Sequence, residues 1–283
     1  MIEASLKESL ALPGPYAKEL KEAMGYAVLS GGKRWRPLLL LSMYEMLSGI
    51  KKSKHLSLVL PAATALELIH NAALVHEDLP CVMNNKERRS NASVHQFYDN
   101  TIAILAGDAL YTLAFEVAAN TPDTHKGIQA IRILSTYAKS YGVVGGQAVE
   151  HLNKRKVMKL NTLRYIDMKK QCSLIQAASD IACIMAEVDE NTRQVLNTYA
   201  LNLGLAYQMT EDIAFDYNRG GEDLDFSDDY IPQSKSGYSG LMGFDKARKT
   251  VDKLIFDSEK LVKPFPRNEI LIEFLQMIQE RLP

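Results

Sequence analysis

Residues 56–80 read LSLVLPAATALELIHNAALVHEDLP, and the pattern in this stretch sets the class of architecture. Its apolar residues recur at helical spacings without strict alternation, and they cover more than one face of a helical projection. A helix that is apolar on several faces has to be enclosed by other helices, so residues 56–75 predict a buried, central helix of a large bundle. The stretch closes on two adjacent carboxylates, Glu77 and Asp78, ahead of Leu79 and Pro80. An acidic pair at the end of a buried helix is a candidate ligand set for a hard cation.

The same period runs through most of the chain. Helices are predicted over residues 16–29, 36–48, 56–79, 93–119, 125–153, 161–186, 190–218, 244–261 and 268–282. β-branched runs bounded by hairpin signals are missing, so the expected class is all-α. No linker rich in Ser, Gly or Pro divides the sequence, and a single domain over residues 1–283 is expected. One stretch stands apart: residues 218–240 are rich in Gly, Asp and Ser and directly follow a second acidic string, EDIAFD at 211–216. A long irregular segment beside a suspected site is a candidate lid.

Composition narrows the function classes. Of the 283 residues 47% are hydrophobic, enough for a large core, and the formal net charge of -1 gives no global bias toward nucleic acid or an anionic membrane surface. Any anion site must be built locally. Cys81, Cys172 and Cys183 are widely spaced and form no CxxC pair, which points to reduced thiols in a reducing compartment. The opening MIEASLKESLALPGPYAKEL has neither the basic-then-apolar order of a secretory signal nor the Arg-rich, acid-poor composition of a transit peptide. A cytoplasmic location is expected, with a plastid as the alternative if a transit peptide has been removed. No apolar run of spanning length is free of charge, so no integral membrane segment is expected.

A local anion site is suggested by GGKRWRP at residues 31–37, which places two glycines, three cations and a proline at a helix entry. Main-chain amides at such an entry, together with Lys and Arg, suit a phosphate group. A solvated basic turn ahead of a buried helix would read the same way, and the choice depends on the rest of the chain.

That context is supplied by ELIHNAALVHEDLPCVMNNKERRSNASVHQFY from Glu67, GGQAVEH from Gly145, YIDMKKQCSLI from Tyr165, YQMTEDIAFD from Tyr207 and KSGYSGLMGFDKARK from Lys235. In order and spacing they resemble the trans-isoprenyl diphosphate synthase family, whose short-chain members make geranyl, farnesyl and geranylgeranyl diphosphate. The resemblance implies the isoprenoid synthase fold, a bundle of long helices around a central cavity. It also implies two acidic motifs that hold magnesium, or manganese, against an allylic prenyl diphosphate, whose carbocation is attacked by isopentenyl diphosphate. On this likeness Lys33, Arg36, His70 and Arg89 match the isopentenyl diphosphate pocket. Arg88 matches the arginine that faces the allylic diphosphate, and Lys170, Gln208 and Lys235 match catalytic positions. The elongation implied is of the C15/C20 class, and the small Ala72 and Ala73, standing where bulky residues stop chain growth, imply a prenyl chain of C20 or longer, whether as product or as ligand. Partners implied are a second copy of the chain or a homologous synthase, and no nucleic acid.

The metal half departs from the family pattern. The ligand positions fall on Glu77 and Asp78, with Met83 in place of a third acid, and on Glu211 and Asp212, with Phe215 in place of a third acid and Asp216 displaced by one. Glu150 stands in the GQ motif, Gln171 follows Lys170 where Thr is usual, and the acidic Asp228 and Asp229 align with a basic loop residue. Glu for Asp keeps the charge and lengthens the arm by a methylene, whereas a methionine is no ligand for magnesium. A one-residue helical step turns a carboxylate by about 100°. Three readings stay open: an elongating prenyltransferase with an atypical, weakened magnesium site; a non-catalytic regulatory subunit of an active synthase; and a terpene cyclase-like or other prenyl-transferring enzyme on the same fold. Retention of the isopentenyl diphosphate pocket argues against the last.

Overall fold

The computed structural model describes residues 1–11, 13–14, 16–49, 53–154, 156, 158–218 and 237–283. Most of the candidate lid and, with it, Lys235, Asp228 and Asp229 lie outside the described residues. The described chain forms two compact units, one of Met1–Thr136 with Ile181–Glu187 and one of Tyr137–Asp180 with Val188–Pro283.

The first unit is assembled around helix α5, Leu60–Glu77, which follows α1 (Ile2–Ser9), α2 (Lys18–Leu29), α3 (Trp35–Ser48) and the short α4 (Ser53–Leu56). Pro61 sits in the first turn of α5, where the missing N–H costs nothing. Residues 62–69 are buried without a break, so the expected all-round burial is present, and α7 (Asn100–Ala119), α3, α1 and α2 pack around it. By length and composition α7 would cross a membrane, but it carries Asp108 and Glu116 and buries Ala103, Ala106, Gly107, Leu110 and Ala114. It is a core helix of this unit. The predicted helix over 93–119 is broken into α6 (Val94–Phe97) and α7, because Asp99 caps α7 by accepting from the Ile102 N–H at 2.8 Å.

Between α5 and α6 lies a hairpin that the sequence pattern did not announce. β1 (Glu87–Arg88) pairs antiparallel with β2 (Asn91–Ala92), with Glu87 opposite Ala92 and Arg88 opposite Asn91. The turn is made by Arg89 and Ser90 at φ of 55° and 61°, both left-handed. Such a turn normally calls for Asn-Gly or Asp-Gly, so no composition cue marks it. Tyr26 clamps it from α2 by donating its hydroxyl to the Ala92 carbonyl at 2.7 Å.

The second unit contains α9 (Val143–Asn153), α10 (Leu160–Lys170), most of α11 (Cys172–Met185), and the long α12 (Glu190–Asn218). It continues with α13 (Tyr238–Met242), α14 (Phe244–Val262) and α15 (Glu269–Gln279). Helix α12 is its spine and packs against α10, α13, α14 and α15. The predicted helix over 125–153 divides into α8 (Thr124–Ala138) and α9, since the main chain at Gly142 folds back against the Tyr137 carbonyl. The predicted helix over 161–186 divides at the single residue Gln171. Cys81, Cys172 and Cys183 form no disulfide among the described residues.

Candidate functional site

In the first unit the glycine turn, the middle of α5 and the hairpin turn bring a cation cluster together. The expected pocket residues Arg36, His70 and Arg89 are part of it, while Lys33 stands exposed on the turn. Arg36 Nη1 donates to His70 Nε2 at 3.3 Å, so that nitrogen accepts and the imidazole is neutral with its proton on Nδ1. Burial, with the guanidiniums of Arg36, Arg89, Arg88 and Arg34 around it, holds the His70 pKa well below its ordinary value. Arg89 donates Nη1 to the Gly31 carbonyl and to Asn71 Oδ1 at 3.2 Å. Burial and the neighbouring Arg34 charge lower its pKa, against the opposing charges of Glu67 and Asp78.

Sequence reasoning passed over the residue that organises this cluster. Arg34, left-handed at φ 50°, is only 7% exposed and fills its fork from three sides. It donates Nε to Glu3 at 2.7 Å, Nη1 to Glu67 at 2.9 Å and Nη2 to the Val28 carbonyl at 2.5 Å. Glu67 is 2% exposed and also accepts from Asn71. The signal was present in GGKRWRP, but nothing in a single sequence separates a cation that pairs inward from one that faces a ligand.

The first acidic motif already has a cation. Arg88 donates Nε to Asp78 Oδ2 at 3.0 Å and Nη2 to Asp78 Oδ1 and to Glu77 Oε1, the latter at 3.4 Å, while Asn85 donates to Asp78 Oδ1 at 2.9 Å. Burial opposes the charge of Arg88, but Asp78 and Glu77 outweigh it and raise its pKa. Ala72 and Ala73, on the same helix, are 0% and 5% exposed.

In the second unit, Gln208 donates Nε2 to Asp212 Oδ1 at 3.0 Å and the Tyr238 N–H donates to Asp212 Oδ2 at 3.3 Å. Burial raises Asp212 to about 6, helped by Asp216 and Glu211. Asp216 thus shares a face with Asp212, four residues apart, in spite of its displacement from the family position. Glu211 takes the guanidinium of Arg281, which also lies 5.6 Å from the centre of the Tyr207 ring. Lys170, 9% exposed at its side chain, pairs with Glu150 at 2.6 Å. Asp167, one helical turn before it, is buried and raised to about 7, by burial first and by Asp212 and Glu150 after it. Neither Asp167 nor Arg281 carried a sequence signal.

Magnesium, which the family likeness implies, asks for several hard oxygens at one point. The donor chemistry is suitable in both units, but the placement is not. Among the described residues no three His, Cys, Asp or Glu side chains converge. Asp78 is taken by Arg88 and Asn85, Glu211 by Arg281 and Glu150 by Lys170. With these pairs made the residues do not fit a magnesium cluster, and each acid would have to leave its cation before it could hold the metal.

The all-α framework thus sets neutral His70 among arginines and carries one acid pair, Glu77 and Asp78, at the end of α5 and another, Glu211 and Asp212, within α12. The chain belongs to the polyprenyl synthetase family, whose model matches residues 17–225. It is 35% identical to a farnesyl diphosphate synthase of Micrococcus luteus, over 94% of this chain and 91% of that one. It is 31% identical to the heterodimeric geranylgeranyl pyrophosphate synthase large subunit 1 of Arabidopsis thaliana, over 92% of this chain and 73% of the relative. The crystal structure of a geranyltransferase from Helicobacter pylori 26695 matches with a TM-score of 0.84 at 28% identity, covering 99% of this chain and 93% of that one. The fold is therefore the all-α isoprenoid synthase fold.

Proposed function

We propose that the protein binds isopentenyl diphosphate and an allylic prenyl diphosphate and extends prenyl chains of the C15 to C20 class, with a weakened magnesium site. The observation that carries the reading is the Arg36–His70–Arg89 cluster. Burial and four nearby guanidiniums depress His70, and a diphosphate reaching this cluster would meet several cationic donors for charge-assisted hydrogen bonds. In this reading Lys33, Arg36, His70 and Arg89 bind isopentenyl diphosphate. Arg88 leaves Asp78 to meet the allylic diphosphate, and Lys170, Gln208 and Lys235 take the catalytic parts that their family positions imply. The match over almost the whole chain supports treating residues 1–283 as one isoprenoid synthase domain.

Elongation is a substitution at carbon: the allylic C–O bond to diphosphate breaks, the π electrons of isopentenyl diphosphate form the new C–C bond, and a proton leaves the adjacent carbon. The protein's part is to place the two diphosphates and keep water away from the carbocation. Calorimetric titration with isopentenyl diphosphate tests the site. Arg36→Ala and Arg89→Ala should each weaken binding by about tenfold, the value of one charge-assisted hydrogen bond. Unchanged affinity in both variants would remove the basis of this reading.

A second reading, a non-catalytic subunit that retains the diphosphate pocket and joins a homologous synthase, is favoured by the arginines seated on Asp78 and Glu211. A relative that is itself named as one subunit of a heterodimer supports it. It predicts no turnover by the chain alone and a heteromer on co-purification with an active homologue.

A further inference from the structure

We propose that Asn71 is a positioning residue for Arg89, aiming its guanidinium without neutralising it; the ligand that Arg89 then meets rests on the isopentenyl diphosphate reading above. Arg89 needs such a guide. It stands at the left-handed tip of the hairpin, at φ 55°, beyond the last strand pair, so strand pairing does not fix the direction of its side chain. Two oxygens from other elements hold it instead, the Gly31 carbonyl and Asn71 Oδ1 at 3.2 Å, and both accept from Nη1. Nε and Nη2 take no part in either bond, and with Nη1 fixed from two sides the direction of these remaining donors is set.

Asn71 is itself held from behind. It is 1% exposed on α5, and its Nδ2 donates to the Glu67 carbonyl at 2.7 Å and to Glu67 Oε1 at 3.3 Å. Reversing the amide would set its oxygen against two oxygens and its nitrogen against a guanidinium, so one orientation alone satisfies all three contacts. Glu67 Oε1 also accepts from Arg34 Nη1 at 2.9 Å, and Arg34 Nε donates to Glu3 on α1 at 2.7 Å. A buried relay thus runs from Glu3 through Arg34, Glu67 and Asn71 to Arg89. Charge is divided along it: the Glu67 carboxylate pairs with Arg34, and the last link to Arg89 is a neutral amide. A carboxylate at position 71 would supply Arg89 with the negative charge that a diphosphate is to bring. An amide orients the cation and leaves its charge for the ligand.

A double-mutant cycle on the full-length chain, read by calorimetric titration with isopentenyl diphosphate, tests this. Asn71→Leu should weaken binding by about tenfold, as Arg89→Ala does, and should add nothing in a chain that already carries Arg89→Ala, since both act through one guanidinium. In the elongation assay Asn71→Leu should raise the KM for isopentenyl diphosphate rather than lower kcat, whereas a simple loss of folded protein would do the reverse. Hydrogen exchange in residues 86–93, read by mass spectrometry, should speed up by about tenfold in the same variant. Full affinity in Asn71→Leu beside weakened Arg89→Ala would overturn the proposal, as would two losses that add in the double variant. Should Asn71→Leu fail to fold, Asn71→Ala, which removes atoms without overpacking the helix, is read in the same way. A wild-type chain that does not bind isopentenyl diphosphate removes the reading of the ligand alone. Exchange in the hairpin then decides the role of Asn71: faster exchange supports it and unchanged exchange overturns it.

Discussion

At Gly32 the backbone adopts φ 135° and a β-carbon would lie 2.9 Å from Arg89 Cζ, so the glycine turn and the hairpin turn can meet only there without a side chain. Gly32→Ala should lower stability by about 1–3 kcal/mol, read from denaturant melts, and should weaken binding of isopentenyl diphosphate because Arg89 is pushed aside. His70 gives a pH signature. Its folded pKa lies well below the ordinary 6.5, so below that value the unfolded chain binds the extra proton and stability falls as pH falls. His70→Gln should flatten that part of the stability profile. Affinity for diphosphate should change the other way, rising as pH falls, because the bound anion favours the protonated ring. Ala72→Phe should shorten the prenyl chain formed or bound, as resolved by gas chromatography of the dephosphorylated product, and an unchanged profile would contradict the assigned floor. Sequence motifs singled out Arg36, His70, Arg89 and the acidic pairs. They could not show that Arg34 turns inward, that Arg88 rests on Asp78, or that Asn71 holds Arg89, since each depends on contacts between residues far apart in sequence.

Among the elements, α5 was the most legible, because its Ala- and Leu-rich run is apolar on every face and the structure encloses it on every face. The boundaries were less so. Residues 93–119 carry one continuous apolar period, and only the side chain of Asp99 starts a new helix inside it. Asp99→Ala should cost about 1 kcal/mol in urea unfolding, the usual worth of such a cap. The hairpin was illegible because its left-handed turn is built from Arg89 and Ser90, held by Tyr26 and Gly31 and not by intrinsic preference. The terminal helix α1 is tied to α5 by the Ser5–Thr64 hydroxyl pair at 2.8 Å and to Arg34 by Glu3. Glu67→Ala would leave Arg34 buried with its inner partner gone, an expected loss of about 3–5 kcal/mol. Since Arg34 lies beside Arg89 and His70, this variant should also weaken diphosphate binding, a second effect that a simple packing defect would not produce.

Across the molecule, the charged groups are distributed unevenly. The first unit gathers cations around His70 on α5, whereas the acids Asp78, Glu211 and Glu150 are each paired with a cation of the protein, Arg88, Arg281 and Lys170. A net charge of -1 reaches this arrangement by local pairing and not by a global field. Family membership is settled by the match over residues 17–225. The most direct measurement incubates the purified chain with farnesyl diphosphate, isotope-labelled isopentenyl diphosphate and magnesium or manganese, and then identifies the extracted products. A labelled chain longer than farnesyl, lost in Arg36→Ala, is the predicted result. Failure to incorporate label with either metal, in protein that still binds isopentenyl diphosphate, would contradict elongation and leave the non-catalytic subunit.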